Sequence, residues 1–272
     1  MDRIRKALDL AREERARPSD QPNDVHESYA APASRGGPTE IRYTKTKVFQ
    51  PSASLLEANR IISAATPSAA AAAFRMLRTQ VLQRLTEHQW SSLAVVSPTT
   101  QDGKTTTAIN LAISIANDHH HTALLVDFDL KAPGIAESLG IAPEAGADDI
   151  LRGKAGVEEC LYHPDGFDRL VVLPARGPLE NSSEALAGPL CRELVAELRA
   201  RYPERILVFD LPPILGADDA LAFAPLVECA LVVVSEGTTK RDDLVRTMEL
   251  LHKTPVIGTV LNRATETEAA YG

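Results

Sequence analysis

Six short apolar runs recur along the later part of the chain, at residues 92–97, 122–127, 169–173, 205–210, 229–234 and 256–261, and none alternates apolar with polar positions. Continuous Val/Leu/Ile runs of this length are the pattern of strands covered on both faces. Helical stretches fall between them, near 104–118, 133–140, 183–201, 217–224 and 239–253. The alternation predicts an α/β fold, a mostly parallel sheet flanked by helices on both faces. In that architecture ligands sit at the carboxyl ends of the strands.

Upstream of the first run, residues 68–88 place Phe74, Leu77, Val81, Leu82 and Leu85 on one side of a predicted helix, with Thr66 as its N-cap and Pro67 at its first position. At the start of the chain, Ile4, Ala7, Leu8 and Ala11 fall at i, i+3, i+4 and i+7, which predicts a short amphipathic helix over residues 1–17. Its stripe is narrow and lacks Trp and Phe, so it suits docking on a partner protein better than lying on a membrane. From Pro18 to Pro51 the composition turns to Pro, Ser, Ala, Gly and Asn without apolar periodicity, the mark of a disordered linker. Leu55, Leu56, Ile61 and Ile62 then predict a short ordered piece before the main domain.

Composition narrows the class of function. Hydrophobic residues make up 44% and charged residues 24% of the 272, ordinary for a globular protein. The net charge of −8 is uneven: residues 1–66 carry 11 Lys/Arg against 9 Asp/Glu, leaving 18 against 28 for the rest. An acidic body argues against binding nucleic acid. Cys160, Cys191 and Cys229 are widely spaced, with neither a zinc pattern nor a disulfide framework, which fits a reducing cytoplasm. No run of about 18 apolar residues predicts a membrane span, and the start Met-Asp-Arg-Ile-Arg-Lys does not read as a signal peptide. A cytoplasmic protein is expected, and any link to the inner face of a membrane must go through a partner or the N-terminal helix.

The first run opens directly into Ser97-Pro-Thr-Thr-Gln-Asp-Gly-Lys-Thr105 and then a helix. This is a phosphate-binding loop. Lys104 can reach the β- and γ-phosphates, Thr105 offers a hydroxyl to Mg²⁺, and N–H groups around Gly103 face an anion at the helix start. Gln101, Asp102, Gly103, Lys104, Thr105 and Thr106 are the candidate nucleotide contacts. Pro98 stands where the common motif has its first glycine, so donors must come from residues nearer Lys104.

Two later runs end in carboxylates. Asp127 and Asp129 close the second run at i, i+2 spacing, and Asp210 closes the fourth. Beside a bound Mg²⁺ such carboxylates can stay ionised, one helping to hold the metal while another accepts a proton from an attacking hydroxyl. Asn262, at the end of the last run, fits either a hydrogen bond to a base or a turn. His119-His120-His121 do not share a helix face, so a metal role is disfavoured. Asp218-Asp219 and Ser182-Ser183 read as helix N-caps.

The motifs in this order resemble the bacterial tyrosine kinases (BY-kinases) of exopolysaccharide and capsule loci. The likeness rests on Ser97–Thr105 as Walker A, Leu125-Val-Asp-Phe-Asp-Leu-Lys-Ala-Pro133 as the family's V-D-x-D-x-R-x-P, Val208-Phe-Asp-Leu-Pro-Pro213 as Walker B, and Asn181-Ser-Ser-Glu-Ala-Leu186 as N-P-S-E-L-L. It covers about residues 70–263, and the segment Asp2–Leu8 is similar to the N-terminal helix of exopolysaccharide-locus autokinases. The resemblance implies a P-loop NTPase fold of the MinD/BY-kinase type, with ATP and Mg²⁺ as cofactors. It implies that Lys104 and Thr105 hold ATP and Mg²⁺, that Asp129 and Asp210 assist the metal, and that Asp127 deprotonates a tyrosine hydroxyl.

The implied function is a cytoplasmic protein-tyrosine autokinase of exopolysaccharide biosynthesis or export. Its implied activator is a membrane polysaccharide co-polymerase or chain-length determinant protein, and homo-oligomers are a feature of the family. The expected organisation is a helix at 1–17, a largely disordered linker at 18–66, the P-loop domain at 67–263 and a flexible tail at 264–272. Three departures stand out. The family's P-G-E-G-K reads Thr100-Gln101-Asp102-Gly103-Lys104, its E-x-x-R-x-x-R reads Ala72-x-x-Arg75-x-x-Arg78, and its C-terminal tyrosine cluster is reduced to Tyr271, with Tyr29 and Tyr43 as other candidate acceptors. The alternatives are an ATP-binding switch with little tyrosine transfer, and a MinD/ParA-type ATPase. The signature lysine of the latter falls at Thr99, which favours the kinase branch.

Overall fold

All six apolar runs form strands of one sheet, and two strands of three residues extend it. In chain order they are β1 (Lys47–Phe49), β2 (Ser92–Val96), β3 (Thr122–Asp127), β4 (Tyr162–Pro164), β5 (Leu170–Leu173), β6 (Arg205–Asp210), β7 (Cys229–Ser235) and β8 (Val256–Asn262). The structure, a computed structural model, describes residues 46–62, 68–201 and 204–264. The strand order is β1-β4-β5-β3-β6-β2-β7-β8. Every pairing is parallel except β4 with β5, where Tyr162 faces Val172. The strand that feeds the phosphate loop, β2, lies inside the sheet between β6 and β7.

The helices among the described residues are α1 (Ala53–Ala58), α2 (Ala69–His88), α3 (Lys104–Ala116), α4 (Ile135–Leu139), α5 (Ala147–Leu151), α6 (Ser182–Ala187), α7 (Pro189–Arg201), α8 (Asp219–Phe223) and α9 (Arg241–Leu250). Successive strand residues point to opposite faces, and both faces of this sheet are covered. Leu93, Val95 and Leu125 pack with Val81, Leu85, Ile109 and Ile113 from α2 and α3. Ala94, Val96, Leu124 and Phe209 pack with Leu186, Leu194 and Phe223 from α6, α7 and α8. This double burial explains the absence of polar alternation in the strands. Phe209, at the end of β6, meets the rings of Phe128 at 5.4 Å and Phe223 at 4.9 Å.

The outer elements depart from the sequence pattern. The stretch assigned to a linker at 18–66 contains β1, which pairs with β4, and α1, which buries Leu56. Ile61 is also buried, and the Ile62 N–H donates to Asn110 Oδ1 at 2.8 Å, so the ordered piece expected near 55–62 is seated on α3. A three-residue edge strand has too few side chains to show a period. The cap of α2 is Ser68, whose hydroxyl accepts the Ala71 N–H at 3.1 Å, instead of Thr66. The stretch 183–201 is two helices, broken at Gly188-Pro189 because Pro189 lacks the N–H needed to continue the first. The helix at 1–17, linker residues 18–45 with Tyr29 and Tyr43, Thr66, Pro67 and tail residues 265–272 with Tyr271 lie outside the described residues. Among the described residues no helix is long and apolar enough to cross a membrane. The three cysteines are free and buried, and burial pushes each thiol up to about 12, leaving them chemically quiet.

Candidate nucleotide site

The loop after β2 reaches α3 through two left-handed residues, Gln101 at φ 65° and Gly103 at φ 89°. Gly103 is required twice over. Its φ suits glycine, and a Cβ there would collide with the Asn262 side-chain amide. Lys104 is the first residue of α3, so the unpaired N–H groups of that first turn open on the loop, where an anion is favoured. Ile214 and Leu215 donate their N–H groups to the carbonyls of Ser97 and Pro98, at 2.9 and 3.2 Å, tying the start of the loop to the segment after β6.

The register of β3 against β6 sets Asp127 opposite Asp210. Thr105 Oγ1 donates to Asp210 Oδ2 at 2.6 Å, and Lys104 Nζ donates to Asp129 Oδ2 at 2.6 Å while lying 3.7 Å from Asp210 Oδ1. Asp127 accepts the Ile135 N–H at 3.0 Å through Oδ2, and its Oδ1 has no hydrogen-bond partner. Asp127 and Asp210 are fully buried and Asp129 nearly so. Lys104, Thr105, Asp127, Asp129 and Asp210, predicted from separate parts of the chain, thus converge at the carboxyl end of the sheet.

Three carboxylates share one ammonium, and the acidities of Asp127 and Asp210 reflect it. Burial, together with the Asp210 charge, raises the Asp127 carboxyl well above the usual carboxylate range. Burial also raises Asp210, although Lys104 and the Thr105 hydroxyl pull the other way. Burial works against the Lys104 charge, but Asp210 and Asp129 outweigh it and hold its pKa above the ordinary lysine value. The site is short of positive charge and keeps buried carboxylate oxygens without donors at Asp127 Oδ1 and Asp210 Oδ1. A divalent cation fits that need. No cluster of three or more Asp, Glu, His or Cys among the described residues forms a ready metal cage. Mg²⁺ is commonly held by one or two carboxylates plus substrate phosphates and water, so these residues suit it.

Other predicted contacts fall differently. Gln101 is exposed on the loop, and Thr106 is half-buried in the first turn of α3. Asp102 has a fully buried side chain whose partners all lie within the protein. Its Oδ2 accepts the Thr99 N–H and hydroxyl, both at 2.9 Å, and its Oδ1 accepts the Thr239 hydroxyl at 2.7 Å. Only its backbone remains to face a phosphate. Asn262 braces the loop: its Nδ2 donates to the Asp102 carbonyl at 2.9 Å and its Oδ1 accepts the Arg263 N–H at 2.9 Å.

Further residues complete the picture. The expected caps at 182–183 and 218–219 make no side-chain cap bonds; Ser183 Oγ donates to Asp218 at 2.8 Å, and buried Asp219 lies 3.0 Å from Lys131 Nζ. His121 pairs with Asp118 at 3.0 Å. Thr239 escaped the sequence reading because nothing local marks a threonine in a turn as a partner for a loop 137 positions away. Lys131 was legible only through the A′ motif, where it stands at the family's arginine.

A parallel sheet with a phosphate loop after an interior strand and carboxylates on two neighbouring strands defines a P-loop nucleotide-binding protein. The profile of the CobQ/CobB/MinD/ParA nucleotide binding domain matches residues 93–270. The chain is 29% identical over 192 residues to the tyrosine-protein kinase YwqD of Bacillus subtilis, covering 70% of this chain and 79% of that one. It is 32% identical over 213 residues to the succinoglycan biosynthesis transport protein ExoP of Rhizobium meliloti, covering 75% of this chain but 26% of that one. Among solved structures it is similar to the VpsO kinase domain, with a TM-score of 0.63 and 29% identity over 70% of this chain and 93% of that one. The chain belongs to the CobQ/CobB/MinD/ParA nucleotide-binding domain family, and within it to the bacterial tyrosine kinases.

Proposed function

We propose that this protein is an ATP-dependent tyrosine autokinase of exopolysaccharide biosynthesis or export. The observation that carries the reading is Asp127: a buried carboxylate with one donor-free oxygen, beside the Lys104, Thr105 and Asp210 cluster. In this reading Lys104 and the N–H groups at the start of α3 bind the phosphates of ATP, and Gln101, Gly103 and Thr106 shape the approach. Thr105 and Asp210 hold Mg²⁺, with Asp129 assisting; the bound ion supplies positive charge to the triphosphate. Asp127 accepts the proton of the attacking tyrosine hydroxyl. Its raised pKa makes it a stronger base than an ordinary aspartate once it is ionised.

Tyr271 is the proposed acceptor. The protein works in the cytoplasm, possesses no nucleic-acid role, and is recruited to the inner membrane face by a polysaccharide co-polymerase, with self-association available for transfer between copies. The test is to incubate the protein with ATP, Mg²⁺ and the cytosolic tail of the partner, then map phosphate by mass spectrometry. Phosphotyrosine that disappears in Asp127→Asn is expected. ATP turnover without phosphotyrosine, unchanged in Asp127→Asn, would replace this reading with a nucleotide-dependent switch.

A further inference from the structure

The phosphate loop keeps Gly103 but lacks two other glycines that usually let such a loop bend. Pro98 occupies one glycine position, and Gln101 adopts a left-handed φ of 65° that a side chain disfavours. Something other than backbone freedom must hold its shape. Asp102 is placed to do so. Its fully buried carboxylate accepts two hydrogen bonds from Thr99, within the loop, and one from Thr239, outside it.

Thr239 is itself fixed. It closes the turn after β7, where its N–H donates to the Ser235 carbonyl at 3.0 Å and its Oγ1 accepts the Ser235 N–H at 2.8 Å. With that lone pair used, its hydroxyl hydrogen points to Asp102 Oδ1 at 2.7 Å. From the end of β8, Asn262 donates to the Asp102 carbonyl and fills the space beside Gly103. One loop residue is therefore gripped through its side chain from β7 and through its backbone from β8.

We propose that Asp102, Thr239 and Asn262 form a clamp that positions the phosphate-binding N–H groups of residues 101–105, in place of the missing glycines. The clamp touches no phosphate with a side chain; all three are positioning residues. The inference rests on the reading that this loop binds nucleotide phosphates. A carboxylate hydrogen bond is charge-assisted and stronger than a neutral one, so its loss is felt in the loop's preorganisation.

Thr239→Val gives the cleanest test, because it keeps the size of the side chain and lies outside the loop. Titration calorimetry with Mg-ADP is expected to show affinity lowered about tenfold in Thr239→Val, as for loss of one hydrogen bond to a charged group. Thr239→Ser, which keeps the hydroxyl, is expected to bind as the wild type does. Asp102→Ala is expected to weaken binding at least as much, with Thr239→Val adding nothing further to it, since both remove one interaction. Thermal melts alongside separate loosened folding from a misplaced loop. Wild-type affinity in a folded Thr239→Val, or equal weakening in Thr239→Ser, overturns the clamp. If Asp102→Ala does not fold, the two Thr239 variants decide the matter alone. Because binding is read without phosphoryl transfer, a failed kinase assay leaves the clamp standing, whereas a wild type that binds no Mg-ADP overturns both.

Discussion

Asp127 ionises at a cost, because burial and the neighbouring Asp210 both disfavour its charge. Its folded-state pKa is raised above the unfolded value, so it contributes stability that is fully present below the ordinary aspartate pKa and lost as pH rises through the raised one. The ligand-free protein is expected to lose melting temperature relative to Asp127→Asn as pH is raised from about 4 toward neutrality. The asparagine can still accept the Ile135 N–H, so the comparison isolates the charge. Melting curves at a series of pH values check this; parallel profiles for the two proteins would refute it. At this scale the sequence was most informative about Lys104, Thr105, Asp127, Asp129 and Asp210, whose convergence short motifs foretold and whose proposed roles rest on it. It did not reveal the bonds that Asp102 and Asn262 make within the protein, because residue type alone does not show which way a polar side chain turns.

Among the elements, β6 joins packing to chemistry. Phe209 fills the space between Phe128 and Phe223, and the next residue is Asp210. Phe209→Ala is expected to destabilise the fold by about 3–5 kcal/mol, the usual cost of removing a buried aromatic side chain. Denaturant unfolding measures that loss; a change below about 1 kcal/mol would show that the cluster is not a packed unit. The interior strands were legible because burial on both faces leaves a continuous apolar run. β1 and β4 were not. Each has three residues, and β4 is held by distant partners, with Tyr162 facing Val172 and its hydroxyl accepting the Glu144 N–H at 2.9 Å. The break between α6 and α7 was written in Gly188-Pro189 and is the one boundary that a closer local reading would have found.

For the molecule as a whole, the charge imbalance of the site ties stability to ligand. In the proposed function Mg-ATP is a ligand of the folded state alone, so it is expected to stabilise by about 2.7 kcal/mol at a hundred times its dissociation constant. Thermal melts with and without Mg-ATP check this, and the shift is expected to vanish in Lys104→Ala. An equal shift in that variant would place nucleotide binding elsewhere. Local sequence dictates the alternation of strands and helices and places Lys104, Thr105 and three aspartates at strand ends and a helix start, since those boundaries are set by neighbours a few positions away. Only the tertiary structure decided that Asp127 stands beside Asp210, and that Thr239 and Asn262 serve the loop through Asp102. Those contacts depend on strand register and join residues 137 and 160 positions apart, a separation at which no local pattern carries information.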